Sequence, residues 1–426
     1  MTDGVFFTNK RRQLTAILEP NSMSILFSSD QMPRNGDQYY PYRQDSGFYY
    51  LCGIEQEKSI LLIFPNCPVD RYREVLFLLR PNDILEQWEG QKLKKEQASA
   101  ISGIDTVMWL DEFEAVLQET MQYAAIVYLN DNEQPKFNPD VASRNIRLGK
   151  ELMEKYPFHR YARLAPKLSK IRQNKEASEQ ALIKKACDIT ASAFYRVMKF
   201  IKPGVYEYEI QAEIEHEFMI NKANGNAFHP IIASGKNATF LHYHSNNALC
   251  KDGDLVLLDF GCEYKNYSSD LSRTIPVNGK FSPRQKEVYS AVLKAYKNII
   301  PLFKEGNSIE GIYKEIIPIL EEEMIRLKLF TVEEAKTFKE PGKPLWQFYF
   351  PHGLSHHIGL DVHDPGEKQA ALTAGMVVSC EPGIYIPKEQ IGVRIETDLL
   401  ITHDKPIDMF KDLPVETEEI EQIMLM

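Results

Sequence analysis

None of the six cysteines in this chain stands in a Cys-x-x-Cys spacing, which excludes the thiolate-rich structural zinc sites. Cys52, Cys67, Cys187, Cys250, Cys262 and Cys380 are scattered, mostly inside apolar runs, and read as free buried thiols rather than a disulfide framework. Positive charge is also in deficit. Fifty Lys and Arg against 60 Asp and Glu leave a formal charge of −10, without the basic stripe of a nucleic-acid binder. No run reaches the roughly 18 apolar residues that span a bilayer, so no membrane association is expected. The first ten residues lack the basic-then-apolar pattern of a secretory leader, which points to the cytoplasm. Internal repeats of fixed period and low-complexity tracts are absent too. What is present, 426 residues of which 43% are hydrophobic and 26% charged, is the composition of a soluble globular protein of two or three domains.

The first part of the chain alternates short apolar runs with amphipathic stretches. Ser24–Phe27, Ser59–Phe64, Glu74–Leu79 and Ala124–Leu129 read as strands, and Lys94–Ser102 and Glu112–Tyr123 as helices, so an α/β domain is expected over 1–168. A charged segment, Leu168–Glu176, leads into the second domain, 169–426. There the pattern predicts helices over 176–201 and 206–223, strands over Ile231–His242 and Leu255–Phe260, a long helical stretch over 283–327, and strands again from Met376 to Ile401. This is an α+β arrangement with helices on one face of a curved sheet. The acidic end, Glu416–Glu421, reads as a solvated final helix.

Chemistry concentrates in that second domain. The apolar run Leu255-Val-Leu-Leu ends on Asp259, Met376-Val-Val-Ser-Cys ends on Glu381, and Gly392-Val-Arg-Ile ends on Glu396. An unpaired carboxylate in such a setting costs several kcal/mol or takes up a proton, so the three strands call for a shared cation. Asp270 follows Asp259 after ten residues that include Gly261 and a polar turn, a length that suits a hairpin returning both aspartates to one end. With His356 the set is Asp259, Asp270, His356, Glu381 and Glu396. Four carboxylates balance two divalent cations, and a carboxylate-rich set with one imidazole suits harder ions such as manganese. Two metals about 3.5–4 Å apart share a hydroxide nucleophile and polarise a carbonyl, which makes metal-assisted hydrolysis the expected reaction class.

The segment His352–Asp364 holds four of the ten histidines, interleaved with glycines. His352 and His356 stand four apart, but the helical zinc-protease motif needs Glu directly after the first His, and Gly353 is there instead. A loop threading past a site is the better reading. His242 and His244 flank Tyr243 and, by alternation, would share one strand face. Arg394, two residues before Glu396, is either the partner of that carboxylate or a substrate anchor. Trp346–Phe350 reads mainly as core packing, and His159, His216, His229 and His403 as structural.

At these residues the chain resembles aminopeptidase P, one of the pita-bread metallopeptidases together with methionine aminopeptidase, prolidase and creatinase. The carriers are Asp259-x10-Asp270, His356, Glu381 and Glu396 in that order, with His352-Gly-Leu-Ser-His356 and Asp361-Val-His363-Asp364. In the first domain Arg34-Asn-Gly-Asp37 and the stretch Tyr40–Tyr49 resemble that family's amino-terminal domain. The resemblance implies a catalytic pita-bread domain after an α/β amino-terminal domain. It also implies cleavage between an N-terminal residue and a following proline by two divalent ions, manganese first, with cobalt and zinc able to occupy the same ligands. Carried over by position, Asp259 would chelate one metal and His356 the other, Asp270 and Glu396 would bridge them, and Glu381 would complete the set and carry the proton. His242 and His363 would stabilise the oxyanion, while His352 and Arg394 would line the side that takes proline. Trp88 would approach a neighbouring subunit's site, which requires a homo-oligomer, a dimer or tetramer. His357, where a large apolar side chain is usual, and Thr397, where an acid is frequent, depart from the pattern. A dipeptide-only prolidase and a non-catalytic binding module are the alternatives.

Overall fold

The structure is a computed structural model and describes residues 3–134, 140–338, 340 and 342–426. The chain divides into two compact units, Met1–Arg172 and Gln173–Met426. Residue 168 falls inside the helix Ala165–Arg172, which closes the first unit.

The first unit is built on a six-stranded sheet. Its strand order is Thr106–Trp109, Glu74–Leu78, Ile60–Ile63, Ser22–Phe27, Ile126–Leu129, Arg160–Arg163. The four expected strands fill the middle because they are nearly continuous apolar runs, and a strand buried on both faces needs such a run. The two edge strands lie outside the expected set. Arg160–Arg163 exposes both terminal arginines, and Thr106–Trp109 is only partly buried, so neither carries the apolar signal. Met23, Ile25, Leu62, Val75, Phe77 and Val127 form the core beneath the sheet with Val116 and Leu117 of the helix Phe113–Met121. The amino-terminal segment, described from Asp3, is the helix Gly4–Thr15, with the Asp3 carboxylate accepting from Phe6 N–H at its start.

The second unit mixes helices with antiparallel strands, as the α+β expectation requires. The helices Ala177–Phe200 and Glu207–Ile220 match the sequence pattern closely, and the acidic end is the helix Thr417–Met424. Three expectations change. The stretch 283–327 is two helices, Pro283–Ile299 and Ile309–Arg326, separated where Pro301 opens a short 3-10 turn and Gly306 adopts φ +91°. The strand from Ile231 stops at Ser234 and turns into a 3-10 helix over Gly235–Thr239, because Gly235 takes φ +53° and ends the ladder. In place of one curved sheet, the described residues of this unit form three three-stranded sheets and one two-stranded sheet.

The expected hairpin is present. Leu255–Phe260 pairs antiparallel with Leu271–Pro276, with Asp259 opposite Ser272. Gly261 makes its tight return possible, since a Cβ there would lie 1.7 Å from the Ser269 carbonyl oxygen. Gly261→Ala is therefore expected to destabilise the protein by about 1–3 kcal/mol or more through forced backbone displacement. Urea unfolding measures this, and an unchanged midpoint would show that the close approach is not required.

Candidate metal centre

Each candidate ligand sits at the end of a short buried element. Asp259 is the penultimate residue of Leu255–Phe260, and Asp270 immediately precedes Leu271–Pro276. Glu381 follows the strand Val377–Cys380, and Glu396 lies between Ile391–Arg394 and Thr397–Leu400. Antiparallel pairing of Cys380 with Thr397 brings the last two ends together. The Glu396 N–H donates to the Ser272 carbonyl at 3.0 Å and so joins them to the hairpin.

The result is a cluster of acids around one imidazole. Donor atoms of Asp270, His356 and Glu396 all lie within 4.8 Å of one another. His356 Nε2 is 3.4 Å from Asp270 Oδ2 and 3.7 Å from Glu381 Oε1. Asp259 joins through its field. Burial pushes the Asp270 carboxyl far above the usual carboxylate range, and Glu396, Asp259, Asp398 and Glu381 push it further. Glu396 is raised well above its ordinary value in the same way, by burial first and then by Glu381 and Asp259. His356 is shifted well below the usual imidazole range, chiefly by burial, so it presents a neutral nitrogen.

This donor set fits a cation. Asp259 Oδ1 and Asp270 Oδ1 are buried without a hydrogen-bond partner among the described residues, and buried carboxyl oxygens rarely go unsatisfied. Four carboxylates and a neutral imidazole are ligands for hard or borderline divalent ions.

The loop carrying His356 is held rigidly. His356 N–H donates to Ser379 Oγ at 3.1 Å, and Ser379 Oγ donates to Glu381 Oε1 at 3.5 Å. Lys175 Nζ meets Asp364 Oδ2 at 3.1 Å, with both side chains 1% exposed. His357, noted above as a departure, packs where a large apolar residue would. Its ring is buried against Gly366, where a Cβ would come within 2.1 Å of it. Burial lowers its pKa to about 4, so it stays neutral. His363 packs edge-on against His356, with ring centroids 4.3 Å apart. His352 Nδ1 lies 3.5 Å from Glu381 Oε2, and its Nε2 is 2.9 Å from the Tyr385 hydroxyl.

Arg394 is buried and directs its guanidinium to Asp259, the Tyr385 hydroxyl at 2.7 Å and Ser272 Oγ at 2.8 Å. Its ion-pair partner is thus Asp259 rather than Glu396. Ser272 Oγ in turn donates to Glu396 Oε2 at 2.7 Å. His242 is in a loop, not on a strand face, because the chain has already turned at Gly235. Its ring stacks on His244 at 6.2 Å, and His244 stacks on His229 at 5.1 Å, a histidine to which the sequence pattern assigns only a structural role. Trp88 belongs to the first compact unit and is 85% exposed.

Reading the sequence alone misses Ser272, Ser379, Asp398 and Tyr385. The first three lie two residues from Asp270, Glu381 and Glu396, so strand alternation places them on the ligand's face. Asp398 Oδ2 accepts from Asp270 N–H at 3.0 Å and from the Cys187 thiol at 3.4 Å, and burial raises its pKa to about 8. All six cysteines are free and buried, and burial pushes the Cys262 thiol up to about 12, which leaves it unreactive.

Residues 181–403 match metallopeptidase family M24, and residues 7–128 match the aminopeptidase P N-terminal domain. The chain is 36% identical to an Xaa-Pro aminopeptidase of Haemophilus influenzae, over 98% of this chain and 96% of that one. It is 32% identical to an Xaa-Pro aminopeptidase of Escherichia coli, over 98% and 97%. Among solved structures it is similar to proline aminopeptidase P II from Yersinia pestis, with a TM-score of 0.86 and 31% identity over 99% of both chains. Aminopeptidase P from Escherichia coli with the inhibitor Pro-Leu superposes with a TM-score of 0.88, at 30% identity over 99% of this chain and 98% of that one.

Proposed function

The chain belongs to metallopeptidase family M24, and from that premise we propose that it is an Xaa-Pro aminopeptidase, removing an N-terminal residue that precedes proline. The observation that carries the reading is the buried meeting of Asp270, His356 and Glu396, with Asp259 and Glu381 alongside. Proline explains the need for a dedicated enzyme, since its tertiary amide offers no N–H to grip and its ring fixes φ.

Two divalent cations would be held by Asp259, Asp270, His356, Glu381 and Glu396, manganese being favoured over cobalt or zinc by the oxygen-rich set. Bound there, they supply Lewis-acid polarisation of the scissile carbonyl and make water available as a nucleophile near neutral pH. The chain's own residues do the rest. Glu381 accepts the proton of the attacking water at a carboxylate oxygen and delivers it to the departing proline nitrogen. Its 3.5 Å approach to His352 Nδ1 supports a group that changes protonation without leaving its place. His242 and His363 donate to the oxygen on which charge develops. His352 and Arg394 line the side that receives proline. Held by Asp259, Tyr385 and Ser272, Arg394 is rigid enough to orient a peptide. The exposure of Trp88 supports its contact with a second copy in a homo-oligomer, a dimer or tetramer.

The test is hydrolysis of Xaa-Pro-Yaa tripeptides beside Xaa-Pro dipeptides, with added manganese and again after chelation. Tripeptide cleavage that disappears with chelator and returns with metal is the expected result. Cleavage of the dipeptide alone would move the assignment to prolidase. Silence on both substrates by a metal-loaded protein would mean that the ligands are right and the substrate is another, whereas no bound metal and no metal-dependent activity would point to a binding module.

A further inference from the structure

The helix Glu207–Ile220 begins on a glutamate that is fully buried, in a chain position normally left to solvent. Both of its carboxyl oxygens are saturated by donors from a single downstream segment. Oε1 accepts from Ser234 N–H at 2.7 Å, Ser234 Oγ at 2.9 Å and Asn237 Nδ2 at 3.1 Å. Oε2 accepts from the Tyr243 hydroxyl at 2.8 Å and from Ala248 N–H at 2.9 Å. The backbone adds a reciprocal bond, Glu207 N–H to the Ala248 carbonyl at 3.0 Å. Five side-chain contacts thus grip residues 234–248 at both ends and in the middle. His242 lies within that span, next to the Tyr243 whose hydroxyl is held.

The segment is also anchored by Asn246, which accepts from Ile232 N–H at 3.0 Å and donates to the Pro230 carbonyl at 2.8 Å, and by packing of Ala238, Leu241 and Tyr243 in an apolar cluster. Glu207, however, is the group that ties Ser234 to Ala248. After Ser234 it leaves the sheet, and beyond the 3-10 helix Gly235–Thr239 it has no regular structure up to Leu249. His242 and His244 are exposed, and their rings stack on one another and on His229 rather than in the core. An oxyanion donor must be held in place before the reaction to be effective, and a loop can provide that only if something rigid fixes it.

We propose that Glu207 is a positioning residue for the reaction: its buried carboxylate holds the 234–248 segment in the arrangement that presents His242 to the substrate. This rests on the reading of His242 given above. Each oxygen faces a backbone N–H, Ser234 on one side and Ala248 on the other. An amide in place of the carboxylate therefore always turns its NH2 against a donor that cannot reverse its role.

The test is a double-mutant cycle in the metal-loaded, full-length enzyme, with Glu207→Gln, His242→Ala and the pair. Turnover, KM, bound metal and melting temperature are measured for each. Glu207→Gln is expected to lower kcat about tenfold or more, the range of lost outer-shell support, with bound metal unchanged. In the His242→Ala background the same change is expected to cost little further turnover, because its effect is transmitted through that histidine. A merely structural role would lower the melting temperature alike in both backgrounds and multiply with His242→Ala. Full multiplication of the two losses, or normal turnover of Glu207→Gln, overturns the proposal and leaves the reading of His242 standing. Normal turnover of His242→Ala alone would overturn both. If Glu207→Gln does not fold, Tyr243→Phe removes one donor from Oε2 without unpairing a backbone group. It should show a smaller loss, again without effect when His242 is absent.

Discussion

Glu396→Gln is expected to lose turnover by about a thousandfold or more, which is what removal of several kcal/mol of charge stabilisation amounts to. The same variant is expected to melt at a higher temperature than the wild type when both are metal-free. The two effects have one cause. Glu396 is 2% exposed and lies in the field of Glu381 and Asp259, with Asp270 beside it. Without a cation these acids repel one another in a poorly solvated place. The neutral amide relieves the repulsion and at the same stroke removes a proposed ligand.

The sign of the pH dependence follows. The folded pKa values of Asp270, Glu396 and Asp398 are raised, so at these three acids the metal-free folded chain binds more protons than the unfolded one, against the opposite contribution of the two lowered imidazoles, His356 and His357. Stability therefore falls as pH rises from the unfolded carboxylate range, about 4, through the raised folded values. Chelated wild type should be less stable at pH 8 than at pH 5.5, and Glu396→Gln should flatten that slope. Calorimetry with chelator present decides it. A metal-free wild type that is more stable at pH 8, or a Glu396→Gln protein that melts lower, would refute the clustered-acid account.

Glu381→Gln is expected to lower kcat by about a hundred- to ten-thousandfold, the range of a positioned general acid and base, with KM changed far less. Glu381 differs from Asp270 and Glu396 in its setting. Its side chain is 19% exposed, against 7% for Asp270, and it touches both His352 and His356. It is thus the more accessible of the two acids, as the proposed proton carrier must be. An amide of the same shape keeps the contacts and cannot carry the proton. Steady-state kinetics with metal analysis separates the roles. If Glu381→Gln keeps normal turnover at full metal occupancy, the proton is carried elsewhere.

Much of the site is legible in the amino-acid sequence, and for a physical reason. A carboxylate at the end of four apolar residues contradicts its surroundings, and Asp259, Glu381 and Glu396 all announce themselves in this way. The hairpin from Asp259 to Asp270 is legible from Gly261 and a polar turn. Ser272, Ser379 and Asp398 are less visible, because a polar residue in a strand is ordinary until its neighbour two positions away is known to be a ligand. Lys175 and Glu207 are not visible at all. Lys175 meets Asp364 across 189 residues, and Glu207 meets Ser234 and Ala248 across 27 and 41. No local pattern marks an acid or a lysine at the start of a helix as buried.

By itself, the sequence determined which atoms are available to a cation, the count of negative charges that need one, and the short strands that carry them. These depend on residue type and on the two-residue period of a strand, which are local properties. Only the tertiary structure decided that Asp270, His356 and Glu396 converge, that Arg394 turns to Asp259, and that the turn at Gly235 takes His242 off the sheet into a loop held by Glu207. Those outcomes depend on pairings such as Asp259 with Ser272 and Cys380 with Thr397. They depend equally on the desolvation that packing imposes, and neither is encoded within any one stretch of chain.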